Sequence, residues 1–193
     1  MKDIKIQVSR QYFKKKDELN RMIKKYHPVL LLQEFTGRKW NKELFVKHKD
    51  LGLGAAWDKE NIILVNFKND VHYSWLGICH ELAHLMLRNP PWHHHIQIKK
   101  IIDKYNDYQS DKYHYDFCYA IEQTLAFFLQ AACENRAGLR RLKWEQWQDT
   151  FRANDVLEFA QKLWKDWLKY LKNISRYKKI DEWILEELEK YWA

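Results

Sequence analysis

Residues 71–88, VHYSWLGICHELAHLMLR, decide how this 193-residue chain is read. Asn69 or Asp70 stands before the stretch with a side-chain oxygen able to cap a helix, and Asn89-Pro90-Pro91 follows it. Proline has no N–H to continue the helical ladder, so the spacing predicts one helix from Val71 to that stop. Trp75, Leu76, Ile78, Cys79, Leu82, Leu85 and Met86 make most of its surface apolar, which predicts burial. His80, Glu81 and His84 break the pattern. An unpartnered buried polar group costs on the order of 1 to 3 kcal/mol, and a charge costs more. A cation bound among these three side chains would remove that cost.

Upstream, Ile4, Ile6 and Val8 alternate with polar residues and predict a first strand, followed by a charged helix over 15–26 that ends near His27-Pro28. Residues 44–47, 54–57 and 61–67 form short β-rich runs, with 58–60 as a polar turn. Downstream, a helix is expected over about 92–105, and Asp116 could cap another whose apolar run, FCYAIEQTLAFFLQAAC, covers 117–133. Apolar residues then recur at helical spacing from Val156 to Leu171 and from Ile180 to Tyr191. The expected class is α+β, with a small antiparallel sheet packed on the His80–His84 helix and a mostly helical C-terminal half. Residues 1–138 would form the core, and 139–193 a Trp-rich helical extension packed on it.

Composition narrows the class further. The chain is 46% hydrophobic and 31% charged, a globular balance, while five Gly and three Pro leave no material for a collagen-like or linker-rich segment. No apolar run approaches the roughly 18 residues of a membrane span, and the N-terminus lacks the apolar block of a secretory signal. A cytoplasmic location with no membrane partner is the expectation. Cys79, Cys118 and Cys133 show no CxxC spacing and read as reduced thiols. The net charge of +8 is uneven: residues 1–70 carry +7, residues 71–134 carry −2 and residues 135–193 carry +3. A solvated helix face around Lys14–Lys16 and Lys24–Lys25 explains the excess more simply than a nucleic-acid partner, and no groove-reading motif is present.

His80-Glu81-Leu82-Ala83-His84 is an HExxH string within the predicted helix. Imidazoles one turn apart share a face and can hold one zinc ion, and the Glu between them is placed to move a proton. A third ligand is needed. Glu122 is one candidate, because Cys118, Tyr119, Leu125 and Ala126 around it include no cation to pair with it. The polar positions Gln123, Gln130 and Glu134 lie close enough on the wheel to put it instead at the edge of a solvated stripe. The run His93-His94-His95 is the rival, with His94 best placed. A third histidine at the HExxHxxGxxH spacing would fall at position 90, which is Pro90.

The segment GAAWDKENIILVNF followed by HELAHLML resembles the edge strand and active-site helix of small intracellular zincins, and Glu122-Gln-Thr-Leu-Ala126 is similar to the second helix of gluzincins. The ImmA/IrrE-like peptidases are the nearest comparison, over about residues 52–134. Such families usually place Asp or Asn four residues after the ligand Glu, where this chain has Ala126. SprT-like proteases, which often act on DNA-bound protein, offer a second resemblance through His94-His-Ile-Gln-Ile98.

The resemblance implies zinc-dependent hydrolysis of a peptide or protein substrate, with His80, His84 and Glu122 as metal ligands, Glu81 as general base, and Tyr119 or His114 as a donor to the developing oxyanion. The alternative is a non-catalytic binding module on the same scaffold, using the aromatic C-terminal helices. Six tryptophans (Trp144, Trp147, Trp164, Trp167, Trp183 and Trp192) lie there, at spacings that suit core packing.

Overall fold

The computed structural model describes residues 4–51, 55–59, 61–88, 99–101, 103, 117–150 and 154–192. In chain order they form β1 (Ile4–Gln7), α1 (Phe13–Lys25), α2 (Pro28–Thr36), β2 (Leu44–His48), β3 (Ala55–Lys59), β4 (Ile62–Val65), α3 (Val71–Leu87), α4 (Phe117–Arg136), α5 (Trp144–Trp147), α6 (Asn154–Lys172) and α7 (Ile180–Trp192). Helix predominates and one small sheet is present, an α+β arrangement. Among the described residues no helix is long and apolar enough to cross a membrane. The helix expected over 92–105 falls largely outside them.

The sheet differs from the expected one. Its strand order is β1-β2-β4-β3, and β1–β2 and β2–β4 are parallel. Only the β3–β4 hairpin is antiparallel. A parallel pair needs a crossover, and α1 and α2 supply it between β1 and β2. After β2 the chain returns along the outside as β3, then turns back to insert β4 between β2 and β3. Short β-rich runs one after another suggested a meander, and nothing local in them signals the insertion. Strand β3 also continues through Lys59, into the stretch read as a turn, with an irregularity between Trp57 and Lys59.

Helix α2 was not anticipated. Pro28 both ends the preceding helix and opens a new one, because a residue at the first helical position has no N–H bond to lose. Gly37 ends α2 at φ +66°, and a Cβ there would lie 2.0 Å from the carbonyl oxygen of Lys178. This contact brings the N-terminal half against the start of α7.

Arg38, the next residue, reinforces the junction. Its guanidinium meets Asp181 through two nitrogens, Nε to Oδ2 at 3.0 Å and Nη2 to Oδ1 at 2.5 Å, and Nη1 donates to the Met86 carbonyl. A cation at the last turn of α3 faces the negative end of the helix dipole. The other end of α3 is fixed by Asp70, whose side chain accepts from His72 N at 2.6 Å. Lys15, from the basic run of α1, donates to the carbonyls of Lys68 at 2.9 Å and Asn69 at 2.7 Å. That lysine has a structural task.

One apolar cluster runs through both parts of the chain, from Val46 and Ile63 of the sheet to Trp147, Trp167 and Trp183. Phe128 of α4 stacks on Trp167 with ring centroids 5.4 Å apart and meets Trp164 edge-on at 5.5 Å. Tyr170 O–H donates to the Phe35 carbonyl of α2. Trp147, Trp164, Trp167 and Trp183 are buried, as core packing requires.

Gly37→Ala should cost more than about 2 kcal/mol, because a left-handed backbone with Cβ costs on the order of 1 to 3 kcal/mol before the carbonyl clash is added. Gly138, at φ +71° with nothing within 4 Å of an added Cβ, is the control. Gly138→Ala should cost on the order of 1 kcal/mol by denaturant melting.

Candidate functional site

Helices α3 and α4 pack against each other more extensively than any other helix pair, and α3 also lies on β3 and β4. Contacts between them run in antiparallel order. His84 faces Tyr119 at one end, His80 faces Phe127 in the middle, and His72 interacts with Glu134 at the other. The predicted solvated stripe of α4 is therefore an internal seam. Glu134 is buried and Gln123 and Gln130 are half-buried, with Gln130 Nε2 donating to Glu134 Oε1 at 3.3 Å.

His80 and His84 turn their Nε2 atoms toward each other, 3.2 Å apart. Two ligands of a tetrahedral zinc, each about 2.0 to 2.1 Å from the metal, stand roughly 3.3 Å apart, so the pair has the separation a shared ion requires. Burial lowers both imidazole pKa values. His80 falls to about 3, with His84 beside it adding to the effect, and His84 is lowered as well. Both rings are thus neutral near pH 7, which is the ligating form. The two imidazoles match a shared zinc ion in spacing and in protonation, which supplies two of the three protein ligands needed.

Glu81 is buried on the same turn, and burial pushes its carboxyl up to about 7. A nearby cation would pull it back toward the charged form. Glu122 is half-buried on α4, and its charge reaches His84, favouring the protonated imidazole. It does not close a coordination shell: among the described residues no three His, Cys, Asp or Glu side chains converge as a ready-made metal site. His93, His94, His95 and His114 lie outside the described residues.

Tyr119 is 40% exposed at the open end of the seam. Its ring lies nearly parallel to His84, with centroids 6.5 Å apart, and its hydroxyl accepts from Gln123 Nε2 at 2.7 Å. Gln123 also lies close enough to both histidines to favour their charged forms. Sequence reading missed this residue. The available signal was its spacing of four from Tyr119 and from Phe127, which puts all three on the face that meets α3. Cys79 and Cys133 are buried and Cys118 half-buried, all as free thiols. Cys79 and Cys133 meet across the seam, where burial raises the Cys79 thiol well above its ordinary range.

Comparison with protein families, curated proteins and solved structures finds no match to this chain. The chemistry therefore rests on the side chains themselves.

The raised Glu81 pKa has a signed consequence for stability in metal-free protein. Folded Glu81 holds its proton up to about pH 7, whereas the unfolded carboxyl releases it near 4.5, so this group's contribution declines as pH rises from 4.5 through 7. Glu81→Gln removes that decline. The melting temperature of the variant relative to wild type should rise as pH is raised from 5 to 8 in the presence of chelator. A difference that stays flat across that range would refute the burial assigned to Glu81.

Proposed function

We propose that this protein is a zinc-dependent peptidase acting on a peptide or protein substrate, with His80 and His84 as metal ligands and Glu81 as general base. The observation that carries the reading is the pair of neutral imidazoles whose Nε2 atoms stand 3.2 Å apart beside a buried carboxyl. Pairing of neutral core histidines explains their contact but gives no reason for an uncompensated Glu one residue away. The antiparallel strand β3 at the sheet edge, with α3 packed on it, further supports the resemblance to zincins.

Zinc in such a site supplies Lewis acidity to a water molecule and to the scissile carbonyl. The Glu81 carboxylate takes a proton from that water as its oxygen bonds to the carbonyl carbon. Glu81 then returns the proton to the amide nitrogen as the C–N bond breaks, leaving a carboxylate and an amine. Tyr119, whose ring lies beside His84 and which is 40% exposed, would donate to the carbonyl oxygen in this proposal. Glu122 would be the third ligand, since its charge already reaches His84. His94 is the competing ligand.

Purified protein should bind about one zinc per chain. His80→Ala and His84→Ala should each remove most of it, while Glu81→Gln retains it and loses roughly 100-fold or more of peptide hydrolysis. Metal analysis and cleavage mapping in matched cells expressing wild type or Glu81→Gln check both halves. Identical cleavage maps from the two, with the wild type folded and zinc-loaded, would favour the binding-module alternative.

The third ligand is tested separately. Glu122→Ala should weaken zinc binding by on the order of 10-fold or more, with His94→Ala close to wild type. The reverse result would move the site toward the SprT-like arrangement.

A further inference from the structure

The mechanism leaves the far side of His80 unexplained. Its Nδ1 is shut off from solvent and makes no hydrogen bond among the described residues, an unusual state for a buried ring nitrogen. Ala126, at the position of α4 one turn past Glu122, offers no polar atom. Phe127 covers the ring with centroids 4.5 Å apart. One turn beyond, the Gln130 side chain interacts with the same imidazole and favours its charged form. Gln130 Nε2 donates to Glu134 Oε1 at 3.3 Å, and Glu134 is 3% exposed, an expensive place for a carboxyl with no role.

We infer that Gln130 and Glu134 form a relay that positions His80, with Nδ1–H donating to Gln130 Oε1 and Gln130 Nε2 donating to Glu134. The inference rests on the zinc reading for its purpose, but its geometry lies in this chain alone. An acceptor at Nδ1 places the ring proton there and leaves the Nε2 lone pair facing His84. His84 then carries its proton on Nε2 and donates across the 3.2 Å contact in the metal-free protein. Glu134 orients the amide: an ionised carboxylate only accepts, so it holds the Nε2 end of Gln130 and favours presentation of Oε1 toward His80. The relay requires the Gln130 side chain to turn its Oε1 onto Nδ1, a bond the described arrangement leaves unmade. Ligating histidines commonly need such a partner on the second ring nitrogen, and losing it typically weakens metal binding about 10- to 100-fold. Gln130 and Glu134 are positioning residues, acting through His80 without touching substrate.

The test reads the His80 ring directly. Nitrogen-15 NMR of the metal-free wild type should show His80 protonated on Nδ1. In Gln130→Met, which keeps the length and removes the acceptor, His80 should become a mixture of tautomers or switch to Nε2–H. Zinc should also bind that variant about 10- to 100-fold more weakly. Glu134→Leu, which releases the amide, should change the tautomer in the same direction and serves where Gln130→Met does not fold. An unchanged His80 tautomer in either folded variant overturns the relay. A wild type that takes up no zinc, but whose His80 tautomer still depends on Gln130, would sink the zinc reading and leave the relay standing.

Discussion

The antiparallel packing of α3 on α4 is the contact around which the rest of the molecule is arranged. It is an unusual interface, because its middle is polar: His80, His84, Gln123, Gln130 and Glu134 lie along a seam flanked by Cys79, Cys133 and Phe127. Apolar side chains would bury the same area at lower cost. The polar groups persist because each finds a partner one turn away on its own helix: Gln123 with Tyr119, Gln130 with Glu134, and His80 with His84. The exceptions are Nδ1 of His80 and Nε2 of His72, buried without a hydrogen bond among the described residues, together with a burial-shifted Glu81. Unbalanced polarity gathered in one place is how functional sites differ from ordinary cores.

Everything around the seam keeps its two helices from shifting. Asp70 and the carbonyls bound by Lys15 fix the start of α3, and Arg38 fixes its end. Arg38 is in turn held by Asp181, so the last turn of α3 depends on where α7 begins. Phe128 stacked on Trp167, with Trp183 tilted against that indole, closes the opposite side of α4. The Trp-rich C-terminal part is thus the backing wall of the interface, and this explains why Trp147, Trp164, Trp167 and Trp183 face inward.

Electrostatically the site is built by desolvation. Burial leads the shifts at both His80 and Glu81, with His84 adding to the first, and it favours the neutral form of each. A divalent ion held by His80 and His84 would reverse the second effect and would use the first.

Local rules were enough for much of this. The Asp70 cap, the reach of α3, the HExxH face and the C-terminal helices follow from side-chain capping, proline stops and a 3.6-residue period, all of which act within a few residues. Helix α2 escaped because Pro28 stops one helix and starts the next with the same covalent feature. Strand direction escaped for a deeper reason: β2, β3 and β4 have no residue that distinguishes a meander from an inserted strand, and β4 takes its place only when β2 and α3 are both present to pack on it. The same limit applied to α4. On a helical wheel Gln123, Gln130 and Glu134 read as a wet stripe, since polarity alone cannot say whether water or another helix will satisfy it. Burial against α3 turned that stripe inward and made amides into partners for histidines, because a neighbour's position is a property of packing over some fifty residues of intervening chain.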